Sequence, residues 1–165
     1  MSVTVVRKGI KFLPDASRVI ARFLYTNDER ALNTIKLVNA LTDSEVNFKL
    51  NHVLNSYSLR HRNITRVFEH NYGKVIALLK SANLIPDPVD TTRKKLLGSY
   101  FTMEYSIESA AFFNPSMVEH PDQSETNADE KRVIMSFRSV GEGHISSIVF
   151  RTGSLDKHSN LTVEP

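Results

Sequence analysis

Apolar residues recur at intervals of three and four through the first hundred positions, then give way to short β-branched or aromatic runs. Leu32, Ile35, Val38 and Leu41 share one face of a helix that Asn27 or Asp28 is placed to cap. Thr42-Asp43-Ser44-Glu45 fits a capping box, in which the threonine hydroxyl and the glutamate carboxylate each satisfy an orphan backbone amide. It opens a second helix with Val46, Leu50, Val53, Leu54 and Tyr57 inward. Asn63 is placed to cap a third, with Ile64, Val67, Phe68, Tyr72, Val75, Ile76 and Leu79 at helical spacing. Pro86-Asp87-Pro88 stops that run, because proline lacks the amide that a helix interior needs. A fourth helix is predicted from Asp90 or Thr91 to about Tyr105, and an earlier one over Ser17 to Tyr25.

After Ser109 the period changes. Pro115–Glu119, Arg132–Arg138 and Ile145–Arg151 read as strands, bounded by Gly, Pro, Asn and Asp clusters. The polar stretch from Pro121 to Lys131 reads as an exposed loop, and Gly141-Glu142-Gly143 as a hairpin turn. From Ser154 onward the strand signal is confined to Leu161, Thr162 and Val163. The expected class is therefore α+β, with a helical, bundle-like region over 1–105 and the start of an antiparallel β domain over 106–165. Three strands need a partner layer, so the second part reads as a β domain cut short.

Composition narrows the chemistry. Hydrophobic content of 41% and charged content of 24% are those of a globular protein. With no cysteine, disulfides, thiolate zinc sites and cysteine nucleophiles are excluded. The apolar run at the start is too short for a signal peptide and no segment reaches membrane-spanning length, so a cytoplasmic location is the expectation. The net charge of +3 is unevenly distributed: residues 1–100 hold 16 of the 21 Lys and Arg against 8 of the 18 Asp and Glu. The basic part suits docking on the acidic part, an acidic partner or nucleic acid, or simply a solvated helical surface. Arg60-His61-Arg62 alone lacks the aromatic or groove-reading residues of a nucleic-acid interface, so nucleic acid is not expected as a partner.

The densest chemistry lies where the strands begin and end. Asn114, Ser116, Arg138, Glu142 and His144 are the candidate binding residues. Asn offers a donor and an acceptor to adjacent hydroxyls, and Arg offers a fixed fork of donors. Each has a plainer reading: Asn114-Pro115 as a turn, Arg138 as a strand residue paired with Glu142, and Glu142 and His144 as a hairpin tip. His120, Asp122 and His144 lack the converging spacing of a metal site. Glu104 and Glu108, spaced one helical turn apart, read as residues that solvate a helix end or pair with Arg93 or Lys94.

Two segments, Gly98 to Ser116 with His120-Pro121-Asp122-Gln123-Ser124, and Ser136 to Gly153, resemble the entry to the catalytic domain of glycoside hydrolase family 130. The resemblance is specific between Gly98 and Gly153 and looser over Arg18 to Lys95, which is similar to the helical extension of some members. That family comprises β-mannoside phosphorylases and β-mannosidases, which invert at the anomeric carbon. The resemblance implies the first antiparallel strands of a five-bladed β-propeller, about one blade, and a β-mannoside or related oligosaccharide as ligand. It implies sugar contacts for Asn114, Ser116 and Arg138, with Glu142 and His144 near the pocket rim. No cofactor is implied, and inorganic phosphate is the co-substrate if the enzyme is a phosphorylase. The catalytic acid and phosphate site belong to later blades, so no catalytic residue is assigned to this chain, which reads as an N-terminal fragment. A helical interaction module that binds protein or nucleic acid, without catalysis, is the competing reading. Exposed strand edges favour pairing between copies.

Overall fold

The computed structural model describes residues 5–124 and 126–164. Its described elements run β1 (Val19–Phe23), α1 (Asp28–Asn39), α2 (Asp43–Ser58), α3 (Ile64–Ser81), α4 (Thr91–Tyr100), β2 (Thr102–Ser106), β3 (Ala111–Glu119), β4 (Glu130–Val140), β5 (Ser146–Asp156) and β6 (Leu161–Val163). Two compact units divide the chain: Val19–Tyr105, and the residues up to Arg18 together with those from Ser106 onward. No helix among the described residues is long and apolar enough to cross a membrane.

In the helical unit, local chemistry sets where each helix begins. The Asn27 side chain accepts from the Arg30 amide at 2.8 Å. Thr42 and Glu45 complete the capping box reciprocally, at 3.3 Å from the Glu45 amide and 2.8 Å from the Thr42 amide. Asp90 accepts from the amides of Thr92 and Arg93 at 2.8 and 2.9 Å. Asn63 differs: it precedes α3 in the left-handed region, with φ of 54°, and makes no side-chain cap. The apolar faces meet in one cluster around Ala31, Ile35, Val46, Leu50, Val75 and Leu97. Gly98 lets α4 lie directly on α3, since a Cβ there would sit 1.9 Å from the carbonyl oxygen of Phe68.

Two predicted boundaries are corrected in this unit. The segment expected as a helix over Ser17 to Tyr25 is strand β1, paired with β2 in a two-stranded sheet. The fourth helix stops at Tyr100, and Thr102–Ser106 becomes β2. Val19, Phe23 and their neighbours suit either period. A strand some eighty residues away in sequence decides between them, and local patterning does not register such a partner. Thr102 anchors the change of direction: its hydroxyl donates to the Gly98 carbonyl at 2.8 Å and accepts from Asn71 Nδ2 at 2.7 Å.

The second unit is a four-stranded antiparallel meander in the order β3-β4-β5-β6. Along β4, Val133, Met135, Phe137 and Ser139 are buried while Arg138 is exposed, the period-two signature of a sheet with one covered face. Met135, Phe137 and Val149 form the centre of that face, packed against Phe12, Ile107, Phe112, Leu161 and Val163. Phe137 stacks on Phe112 at 4.3 Å between centroids and meets Phe12 at 4.8 Å. The strands are longer than the apolar runs suggested, and β6 arises where only Leu161, Thr162 and Val163 carried a signal. Within the loop after β3, Gln123 links the two flanking strands. Its side chain donates to the carbonyls of His120 and Arg132 at 2.6 and 2.8 Å and accepts from the Arg132 amide at 2.9 Å.

The propeller expectation is overturned. The described residues form an α+β arrangement of four helices and two antiparallel sheets, of two and four strands, with no propeller-like blades. The region over 1–105 is not purely helical either, because β1 and β2 pair within it. Phe12 and Ile107, from outside the four strands, pack on the inner face of the larger sheet, so its apolar side is covered by flanking segments of the same unit.

Candidate functional site

A register shift in β3 organises the candidate site. Phe113 pairs with Arg138 and Ser116 with Ser136, so Asn114 and Pro115 form a bulge between them. Asn114 takes a φ of 53°, a left-handed conformation that asparagine tolerates better than most residues. The bulge turns this part of β3 outward, and Asn114, Pro115 and Ser116 are all exposed.

Arg138 stands beside the bulge on the open face of β4. Its guanidinium lies 5.3 Å from the centroid of the Phe113 ring. Nε and Nη2 both donate to the Ser146 hydroxyl, at 3.2 and 3.0 Å. Arg138 is therefore held by an aromatic ring and a hydroxyl, with no carboxylate among its hydrogen-bond partners within the described residues, which leaves other N–H groups of the fork for a ligand. Across the same face, Arg138 pairs in register with Ile148 and Ser136 with Phe150, and both of these apolar side chains are exposed.

Glu142 and His144 occupy a different position. They bracket a short 3-10 turn between β4 and β5, closed by the Gly141 amide donating to the Ile145 carbonyl at 3.1 Å. Gly143 and His144 both have positive φ, 66° and 60°, as a tight reversal requires. Both candidate side chains are exposed in this turn, while Asn114, Ser116 and Arg138 cluster around the bulge. Ser116 and Arg138 thus lie on the same face of the sheet, Asn114 lies in the bulge between Phe113 and Ser116, and Glu142 and His144 form the hairpin tip.

Other residues singled out in the sequence take structural roles. His120 Nδ1 accepts from the Asp122 amide at 3.0 Å, and the Asp122 carboxylate accepts from the amide and hydroxyl of Ser124 at 3.0 and 2.7 Å. Those Ser124 contacts hold the Asp122 carboxyl below its ordinary range. Among the described residues no cluster of three His, Cys, Asp or Glu is arranged to hold a metal ion. Glu104 and Glu108 are not on a helix and do not meet Arg93 or Lys94. Glu104 receives Arg60 and His61, and Glu108 receives Arg151 and Arg18.

Phe113, Ser136 and Ser146 join the site through the sheet register. Phe113 had a legible signal, since it adjoins Asn114 in the chain. Ser146 had none, because its contact with Arg138 depends on how the β4–β5 turn closes. Compared with protein-family models, curated proteins and solved structures, the chain matches none.

Proposed function

We propose that this chain contributes a sugar-binding surface to a carbohydrate-active protein acting on β-mannosides, as its resemblance to family 130 enzymes implies. The observation that carries the reading is the grouping of Arg138 over Phe113 beside the outward bulge at Asn114. Saccharides present adjacent hydroxyls and apolar C–H faces. An Arg fork and an Asn amide answer the hydroxyls, while an aromatic ring answers the C–H face. Ser116 and Ser136, paired across the strands, add hydroxyl partners. The role assigned to these residues is recognition and orientation of the sugar.

Calorimetric titration of the chain with mannose and β-mannobiose tests this reading. Binding in the millimolar range is expected, because an open sheet face buries little of a small ligand. Arg138→Ala and Asn114→Gly should each abolish it, while Lys157→Gln on a distant turn should not. Heat changes indistinguishable from dilution at saturating sugar would overturn the proposal. Equal binding by wild-type protein and Arg138→Ala would overturn it as well.

A further inference from the structure

The helical unit contains a concave surface rich in basic residues. A cavity of about 480 Å³ runs between α3 and β1, with Arg62, Arg66, His70 and Lys74 along one side and Phe23 in its wall. Arg66, His70 and Lys74 follow one another at intervals of four along α3, and Arg62 lies in the turn that precedes it. At about 1.5 Å of rise per residue, the part of the row on α3 extends for about 12 Å.

These cations are not engaged elsewhere. Among the described residues, the side chains of Arg62, Arg66 and His70 make no hydrogen bond or ion pair, and Lys74 only overlies the Phe23 ring at 5.3 Å. The one acid on α3, Glu69, meets Lys95 at 3.5 Å. Glu104 is occupied by Arg60 at 2.9 Å and His61 at 2.8 Å. Val19–Tyr105 carries twelve Lys and Arg against eight Asp and Glu, a net +4. Such a row concentrates positive potential in a groove with an apolar wall, where field lines are focused.

We propose that this groove binds a linear run of phosphate groups, as found in a single nucleic-acid strand or in polyphosphate. The spaced cations Arg62, Arg66 and Lys74 favour a ligand with repeated charges over a single anion. Phosphate suits the guanidinium forks of Arg62 and Arg66. Phe23, its ring overlain by Lys74, gives the groove an apolar wall for a base to contact if the ligand is a nucleic-acid strand. The proposal shares no residue with the sugar surface, so either reading can fail alone.

Fluorescence anisotropy with a labelled short oligouridylate, and calorimetry with tripolyphosphate, test it on the full chain. Oligouridylate affinity should fall with salt at a logarithmic slope of about −2, the value for three Lys or Arg contacts to a single strand. Arg66→Gln and Lys74→Gln should each weaken binding at least about fivefold and make the slope shallower by about 0.7. Arg66→Lys should keep most of the affinity, and Lys36→Gln on α1 should change nothing. Tighter binding of oligouridylate that falls in Phe23→Leu supports a nucleic-acid strand. Equal or tighter binding of tripolyphosphate, indifferent to Phe23, supports polyphosphate. The groove assignment is overturned if neither probe binds at about 50 mM salt. It is also overturned if Lys36→Gln weakens binding as much as Arg66→Gln, or if polyglutamate competes equally. Circular dichroism melting of each variant separates lost binding from lost folding.

Discussion

Arg151 Nη2 donates to both carboxylate oxygens of Glu108, at 2.7 and 2.8 Å, and the Glu108 side chain has no exposed surface. The same carboxylate accepts from the Asp15 amide at 3.1 Å and lies 3.4 Å from Arg18 Nε. One buried anion thus joins the segment before β1, the turn after β2 and strand β5 within a single unit. The charge is tolerated because cations and an amide surround it.

Removing one partner leaves the other charge buried. Arg151→Ala should lower unfolding stability by about 3–5 kcal/mol, read from the urea midpoint with the slope unchanged. Glu108→Leu combined with Arg151→Met should recover most of that loss. A loss below 1 kcal/mol in Arg151→Ala, on the order of an exposed ion pair, would show that the carboxylate is hydrated.

Gly98→Ala tests the close approach of α4 to α3. The added Cβ meets the backbone carbonyl of Phe68, which has no side-chain freedom to yield. Destabilisation of about 2–3 kcal/mol is expected despite the better helix propensity of alanine. Thermal unfolding decides it, and a higher midpoint would contradict the packing.

Glu104 carries a pH dependence. The Arg60 hydrogen bonds and, less strongly, His61 hold its carboxyl below the ordinary range against the opposing effect of burial. A depressed folded-state pKa gives stability that is present above the unfolded value of about 4.3 and lost as pH falls through the folded one. Glu104→Gln should therefore flatten the acid side of a stability–pH profile below about pH 4.5. Parallel profiles for the two proteins would remove the assignment.

Thr42→Ala deletes the hydroxyl that receives the Glu45 amide. A cost of about 1 kcal/mol is expected. Amide exchange should be fastest to change in the first turn of α2, since fraying starts at the uncapped end.

At Asn114 the backbone and the side chain make separable demands. Glycine accepts its positive φ, so Asn114→Gly should retain stability to within a few tenths of a kcal/mol while losing the amide. Asn114→Val should cost about 1–2 kcal/mol, because a β-branched residue is strained in that conformation. Equal melting temperatures for the two variants would be incompatible with the bulge described.

Local chemistry made the beginnings of α1, α2 and α4 legible, since a cap and its recipient amides lie within three residues of each other. Three strand cores and the β4–β5 turn were legible for the same reason: alternation and glycine act over a few positions. Asn114, Ser116 and Arg138 stood out as polar residues at strand ends. Their assembly around one bulge depended on a register that pairs Phe113 with Arg138.

Contacts between distant parts of the chain decided the rest. Val19–Phe23 became a strand because β2 lies beside it, and the end of α4 moved back to supply that strand. The Glu108 pair joins residues 43 positions apart, whereas spacing alone had offered Arg93 or Lys94 as its partner. Arg62, Arg66, His70 and Lys74 were present at helical spacing throughout, yet only the packing of β1 against α3 gives that row a wall. The sequence by itself determined where α1, α2, α3 and α4 begin and where polar groups gather, because caps, periods and turns are short-range. Tertiary structure decided which strands pair, which charges are buried and which surfaces are concave, because those depend on neighbours far away along the chain.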